Sequence, residues 1–393
     1  SRLEYKFNNR YLLTLNFRAD GSSQFGPDKR WGYFPSGAVA WIITEENFMK
    51  DYSNIVSYLK LRGSVGKTGS QNLGAYDWRT LMGSATYNGA AGIVPSSLGN
   101  DILQWEEQIQ KEVGLDYGFW DDRIRGTLGY YQKKVDNLLY SDPVPTSSSF
   151  SSVYQNIGSL KNRGIEFDVR VDIIKNVQKD LTWNVDFNIA RNRTTLEKLN
   201  SSDGYFGGGA YDYFKIEEGG ETGRFYGYKD AGRLFMTNEE LVGLKTIDPK
   251  TGTLKYYRDD YNYERQGDVY IMDLDGDGQI TADGDRTVIG NANPDFFGGF
   301  GSTLYWKGLM LNAVFSYSVG GDRFWDEEKN SSGDMNVYNT SNRILDSWTV
   351  NPGVNASYPR AMYYGWGSNS IITDRYIHDA SYLRMTALNL SYR

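Results

Sequence analysis

The sequence predicts an all-β protein, a large transmembrane antiparallel β-barrel, and three observations predict it. Apolar and polar residues alternate with period two in one strand-sized segment after another. The segments run about nine to twelve residues, the span of a tilted membrane strand and longer than the usual five or six. Aromatic residues also crowd the segment ends, in the manner of interfacial girdles. The composition agrees: 31 Tyr, 18 Phe, 44 Gly and only 9 Pro among 393 residues favour strands joined by turns and polar loops.

The segments follow in order. Ser1-Arg2-Leu3-Glu4 opens directly on strand-like sequence with no signal peptide, the expectation being a processed form or an internal piece. Tyr11, Leu13, Leu15 and Phe17 then alternate with Leu12, Thr14, Asn16 and Arg18. Leu59, Leu61, Gly63 and Val65 form the next row, and Val113, Leu115, Tyr117 and Phe119 the one after. A short turn, Trp120 to Arg123, leads to Ile124, Gly126, Leu128 and Tyr130. In the row Ile165, Phe167, Val169, Val171 and Ile173, the alternate positions Glu166, Asp168, Arg170 and Asp172 are all charged. Leu181 to Ile189 and Leu309 to Tyr317 repeat the pattern. One face of each strand wants oil and the other wants water. A soluble sandwich meets that demand with a core, a membrane barrel with lipid outside and a wet lumen within. Strand length and the aromatics Tyr11, Trp31, Tyr33, Phe34, Phe119, Trp120, Tyr130, Tyr131 and Trp306 favour the barrel. The charged row headed by Glu166 is then expected to face the lumen.

Connections alternate in length. Trp120 to Arg123 and Trp306 to Gly308 are tight. Long loops are expected over about 66–110, 136–162, 199–293 and 320–377. Short turns on one rim and long loops on the other are the outer-membrane habit, and long loops carry function. No linker divides the chain, so residues 1–393 read as part of one barrel domain.

Several functions are excluded or disfavoured. With no Cys there is no disulfide framework or thiol nucleophile, and a single histidine, His378, leaves no His-based triad. A net charge of −7 without a basic stripe gives no footprint for nucleic acid. Adjacent carboxylates such as Glu45-Glu46, Glu106-Glu107, Asp121-Asp122 and Glu217-Glu218 point to opposite faces of a strand or lie solvated in turns. No catalytic residue is assigned, and no enzyme activity is expected. Gly207-Gly208-Gly209 lacks the Lys-Ser/Thr of a phosphate loop.

Two features point to binding. Asp273-Leu-Asp275-Gly-Asp277-Gly-Gln279-Ile280 reads as the front half of an EF-hand-type calcium loop. Asp273, Asp275 and Asp277 fill ligand positions one, three and five, and Gln279 offers its backbone carbonyl. Position twelve is Gly284, so Asp285 is one residue off register as the closing acid. Calcium is the expected ion for an all-oxygen site; the alternative is a solvated acidic turn with Ile280 as a packing anchor. Among loop aromatics, Tyr205, Phe206, Tyr211, Tyr213 and Trp366 are candidates for stacking on substrate, against the alternative that they pack loops together.

A family resemblance rests on many short stretches in order: Arg10–Gly26, Arg30–Ser36, Leu59–Gln71, Gly129–Lys134, Asn156–Glu166, Phe225–Tyr228, Gly267-Asp268, the Asp273 loop with Asp285–Gly290, Asn293–Asp295 and Tyr376–Arg384. Together they resemble the SusC/RagA-type TonB-linked outer-membrane transporters over essentially the whole chain. The resemblance implies a bacterial outer-membrane barrel of about twenty-two strands with a plugged lumen. It implies TonB-dependent import of glycan or peptide nutrients under a SusD-like surface lipoprotein. It also implies a TonB complex acting through a region N-terminal to this chain, and a dimer of transporter–lipoprotein pairs in outer-membrane lipid. The family's plug, TonB box and last strands have no counterpart here, so a partial barrel from a longer polypeptide is expected, since open edges are not tolerated in a bilayer. The rival readings are a structural or adhesive barrel without transport, and a secreted carbohydrate-active β enzyme.

Overall fold

The computed structural model describes residues 1–392 apart from 200–204, 208–212, 238–239, 241–245, 248–253, 256–265, 278–279, 335–338, 354, 362–368 and 370. Its wall is an 11-stranded sheet in which every neighbour pair is antiparallel and adjacent in wall order. The strands are β1 Arg2–Phe7, β2 Tyr11–Gly21, β3 Trp31–Ile42, β4 Val56–Ser70, β5 Glu106–Phe119 and β6 Ile124–Asp136. They continue as β7 Ser159–Asn176, β8 Leu181–Lys198, β9 Phe296–Trp306, β10 Leu309–Val319 and β11 Tyr382–Tyr392. β1 and β11 are the two edges, so the wall is a partial barrel.

Register fixes the two faces. Leu61 of β4 lies opposite Leu115 of β5, which faces Leu128 of β6, which faces Phe167 of β7, which faces Ile189 of β8. On the β2 side the same row continues through Trp41 and Tyr11 to Phe7. The next row of the opposite face runs Lys60, Asp116, Thr127, Asp168, Asn188. One side of the wall is therefore apolar and open, with Leu128 45% and Ile165 53% exposed. An apolar surface of this extent facing outward is what lipid requires and what water penalises. Glu166, Asp168, Arg170 and Asp172 lie on the opposite, polar side, because they alternate with the apolar row of the same strand.

Turns alternate with longer connections, with one exception: 43–55, between β3 and β4 on the turn rim, holds two 3-10 turns and is longer than 22–30 on the other rim. At Lys307 and Gly308 φ is +47° and +84°, and Trp306 pairs directly with Leu309, the geometry a two-residue hairpin needs. Trp120, Asp121 and Asp122 also take positive φ in the β5–β6 turn. The opposite rim carries 22–30, 71–105, 137–158, 199–295 and 320–381. The first long loop was expected near 66–110, but the ladder between β4 and β5 continues to the pair Ser70 and Glu106. The same holds for β7, 18 residues long, against about nine to eleven for a membrane span. Beyond the lipid both faces are wet, so apolar alternation stops while backbone pairing goes on.

Two of the aromatics read as girdle belong elsewhere. Phe34 is 7% exposed and packs under the loops, whereas Tyr33 is 57% exposed. Tyr131 pairs with Glu112 and Gly164 on the polar face, whereas Tyr130 faces outward. Successive side chains of a strand point to opposite faces, so an aromatic doublet cannot supply two girdle residues. On the turn rim, Trp120 and Trp306 are each 51% exposed. On the apolar face two tyrosines lean across glycines: Tyr117 donates to the Asp168 carbonyl at 3.0 Å over Gly126, and Tyr317 to the Asn188 carbonyl at 2.9 Å over Gly298. A Cβ at either glycine would stand 2.0 or 2.1 Å from that carbonyl oxygen.

Candidate functional site: the polar face and the loop cluster

The polar face is laced with charge. The Lys60 Nζ reaches Asp116 at 3.1 Å and the Arg62 Nε reaches the same carboxylate at 3.2 Å, while Arg62 also pairs with Glu112. Arg125 pairs with Asp172 at 3.3 Å, and Thr127 donates to Asp168. Leu12, Thr14, Ala38, Lys60, Arg62, Ser64 and Glu112 line one groove on this face. The wall thus offers a hydrophilic solute a lining of donors and acceptors held by ion pairs.

Above it, the long connections build conventional cores. Leu234, Phe235, Val269, Ile271 and Ile280 are buried together, and Trp348, Ala356 and Ile371 from the last long connection pack against them. Each such side chain contributes about 1.5–3 kcal/mol on burial. A buried polar knot fastens the same two connections. Asp268, 1% exposed, takes the Arg360 guanidinium at 2.6 and 3.0 Å and the Asn369 amide at 2.8 Å, and the Asn369 carbonyl oxygen accepts from the Val269 amide at 2.9 Å. Gly267 sits beside it at φ +87°, with Trp348 2.3 Å from where a Cβ would stand; no other residue fits there. Burial holds the Asp230 carboxyl above its ordinary range, although Arg375 lies at 2.7 Å. A second cluster joins the first three long connections around Phe25, Leu103 and Trp105, with the Trp105 indole donating to the Arg30 carbonyl at 3.0 Å.

The Asp273 loop is bolted to the first core. Ile280 is 4% exposed and packs into that core, the place the solvated-turn alternative gave it. Asp273, Asp275 and Asp277 each offer a carboxylate oxygen, and these oxygens lie within 4.8 Å of one another. Asp273 accepts from the Gly276 amide at 2.7 Å and Asp275 from the Asp277 amide at 3.1 Å. Asp285 is fully buried, and its two oxygens accept from the Leu274 amide at 2.7 Å and the Thr281 amide at 2.6 Å. It clamps both ends of the loop, a role the spacing of acids did not suggest. Gln279 lies outside the described residues. The Asp277 amide hydrogen bond draws the Asp275 carboxyl down, but desolvation and the Asp277, Asp285 and Asp273 carboxyls together hold it above its ordinary value.

Of the aromatic candidates, Tyr213 packs against Phe214 at 4.8 Å, Phe324 at 5.3 Å and Phe225 at 6.0 Å. It joins two long connections. Tyr205 and Phe206 lie on a short ladder opposite Ile216 and Lys215. Tyr211 and Trp366 lie outside the described residues. The sequence reading missed the Asp268–Arg360–Asn369 knot and the Glu328 cluster. Glu328 pairs with Arg343 and with His378 at 2.5 Å. Their partners lie 15 to 101 residues apart, and no local spacing marks such pairs.

An antiparallel wall with an apolar outer face, a charged inner face, tight turns on one rim and folded loops on the other defines an outer-membrane β-barrel. Residues 1–371 match the family described as TonB dependent receptor-like, beta-barrel, and the chain belongs to that family. TonB-dependent receptor P39 of Formosa agariphila is 32% identical over 415 residues, which span 100% of this chain and 39% of the relative. SusC of Bacteroides thetaiotaomicron is 32% identical over 405 residues, 100% of this chain and 37% of the relative. The RagAB peptide importer in its closed-closed state superposes with a TM-score of 0.77 at 27% identity, covering 100% of this chain and 40% of that one. The chain is SusC-like and spans about two fifths of the length of these relatives. In outer-membrane barrels the long connections face the outside and the tight turns the periplasm, which gives the orientation expected for the two rims.

Proposed function

We propose that the protein containing this barrel wall imports glycan or peptide pieces across the outer membrane, driven by TonB. One observation carries the reading: a continuous charged and amide-bearing lining, Lys60, Asp116, Thr127, Asp168 and Asn188, lies beneath folded extracellular loops. Whole-chain similarity to a peptide importer supports it. A SusD-like lipoprotein lids the mouth by resting on the two loop clusters, and two such pairs associate in the membrane. The test is uptake by cells lacking the full-length gene, offered oligosaccharides and oligopeptides as sole nutrients, with and without a protonophore. Loss of growth on one nutrient class, reproduced by the protonophore, is expected. Undiminished uptake in the deletion strain would favour the non-transporting barrel. Co-purification of a lipoprotein with the intact receptor checks the lid.

We also propose that Asp273, Asp275 and Asp277 hold a calcium ion, with the Gln279 carbonyl as a further donor and Asp285 shaping the loop. The carboxylate oxygens within 4.8 Å of one another suit a hard cation. The ion's role is to stiffen the loop against the Ile280 core. Calcium should raise the melting temperature of the detergent-purified receptor, and Asp275→Asn should abolish the rise. Identical melting with calcium and with chelator would remove the metal.

A further inference from the structure

On the apolar outer face, just short of the extracellular rim, the cross-strand row changes character. It reads Val65 on β4, Lys111 on β5, Gln132 on β6, Arg163 on β7 and Arg193 on β8. One row further into the membrane lie Val113, Tyr130 and Ile165, with Arg191 at the β8 position. One row further out, Lys67 pairs with Glu107 at 2.6 Å, and Lys161 and Lys134 share Glu197 at 3.0 and 3.5 Å. Lys134 also reaches Asp136 at 2.9 Å. Arg193 is satisfied by Asp295 at 2.8 Å and Glu221 at 3.4 Å. Lys111, Arg163 and Arg191 are different. All three are exposed, and among the described residues none has an ion-pair partner. The acids nearest in sequence, Glu112 and Glu166, project to the lumenal face, where Glu112 holds Arg62.

Charge on the lipid face costs little near the interface, but three like charges clustered there without an acid repel one another and need an explanation. Their spacing supplies one. Arg163 and Arg191 are diagonal neighbours on adjacent strands, and Lys111 is two strands from Arg163, about 10 Å at the usual strand separation. Immediately beneath them Val113 is 57%, Ile165 53% and Tyr130 46% exposed. Leu15, Val65, Val113 and Tyr130 form a groove with Lys111 and Gln132 at its upper end. A ligand for this surface must be anionic at the top and greasy below.

We propose that Lys111, Arg163 and Arg191 bind the phosphate of an outer-leaflet lipid whose acyl chains lie along the Val65–Val113–Tyr130 groove. Arginine and lysine suit phosphate as forked and point donors respectively. Gln132, between Lys111 and Arg163, presents an amide to the same headgroup. The site lies on the wall rather than in the lumen and is independent of what the receptor transports.

The test is native mass spectrometry of the intact, detergent-purified receptor titrated with monophosphoryl lipid A, with the fully dephosphorylated glycolipid as comparator. Wild-type protein should retain the phosphorylated lipid and release the dephosphorylated one. The triple variant K111Q/R163Q/R191Q should bind the phosphorylated lipid roughly a hundredfold more weakly, at about fivefold per basic residue facing an anionic lipid surface. K67Q/K134Q/K161Q, which removes cations already paired to carboxylates, should change binding little, and R163K/R191K should keep most of it. Equal retention of both glycolipids by wild type would overturn the proposal without any variant. So would a triple variant that changes the oligomeric state and leaves lipid count unaltered, since the basic patch would then belong to an interface with a second copy. Heat-modifiable migration on gels confirms that each variant has folded.

Discussion

The wall and the loop cluster obey opposite rules within one chain. Among the described residues, the fully buried large side chains Phe25, Phe235, Leu103, Leu234, Ile271 and Tyr376 all lie in the long connections. The wall between them is held by backbone ladders, with its apolar side chains turned outward and, below the basic rows at the loop-side rim, its charges turned in. The loops solve the problem of a water-soluble protein: they bury grease and pair the few charges that go with it. The wall solves the problem of a bilayer, in which the backbone must be satisfied internally and grease costs nothing on the surface. At the loop-side rim the loops carry their own core, so packing among the loops themselves and buried ion pairs set the shape of their outer surface.

Phe235 is fully buried at the centre of the loop core. Phe235→Ala should cost about 3–5 kcal/mol there. Limited proteolysis of the purified receptor should then cut within 199–295 and 320–381 while the wall keeps its heat-modifiable migration. Collapse of both together would mean that the loops and wall are one cooperative unit. The complementary change is Leu128→Arg on the outer face, expected to cost about 2–4 kcal/mol in a depth-dependent way. Thr127→Arg, one residue away on the lumenal face, should be far milder. Reversible unfolding from lipid vesicles measures both, and equal costs would erase the distinction between the faces.

How much of this was legible depended on which solvent wrote the sequence. Strands meeting lipid on one side and water on the other announce themselves, as the alternation from Ile165 to Ile173 does. β3 does not: Gly32, Pro35 and Gly37 interrupt its pattern, and Pro35 sits just outside the stretch Ser36–Ile42 that pairs with β4. Strand ends past the membrane were equally silent, because Lys67 to Ser70 carry no apolar alternation while their backbone stays paired. In the loops the local motif was readable and its setting was not. The acids from Asp273 to Asp277 and the Ile280 anchor follow from spacing. The Asp285 clamp and the Asp268 knot depend on atoms brought together by the fold, from residues as far apart as Asp268 and Asn369.

The smallest expected effect tests whether the Asp273 loop belongs to the loop cluster's logic or breaks it. Elsewhere in the cluster buried acids meet cations, as Asp268 meets Arg360 and Asp230 meets Arg375. Here the Asp277 amide draws the Asp275 carboxyl down, but desolvation, the charges of Asp277 and Asp285 and the contact with the Asp273 carboxyl hold it above its unfolded value. A carboxyl raised in this way favours the folded loop at low pH, below the unfolded carboxylate range. That contribution is lost as pH rises through the raised value, so at neutral pH the metal-free loop carries mutual repulsion. Asp275→Asn should therefore leave the metal-free loop at least as ordered as wild type at pH 7, with the gap closing in acid. Calcium should reverse the ranking, since only wild type can convert the repulsion into coordination. Because a ligand carboxylate must lose its proton, wild-type calcium affinity should fall on the order of tenfold per pH unit for each proton displaced, once pH drops below the raised value. Hydrogen exchange of the 273–285 amides across a pH and calcium grid reads each of these outcomes. A native loop less protected than Asp275→Asn even in saturating calcium would mean that the acids repel without a cation to join them.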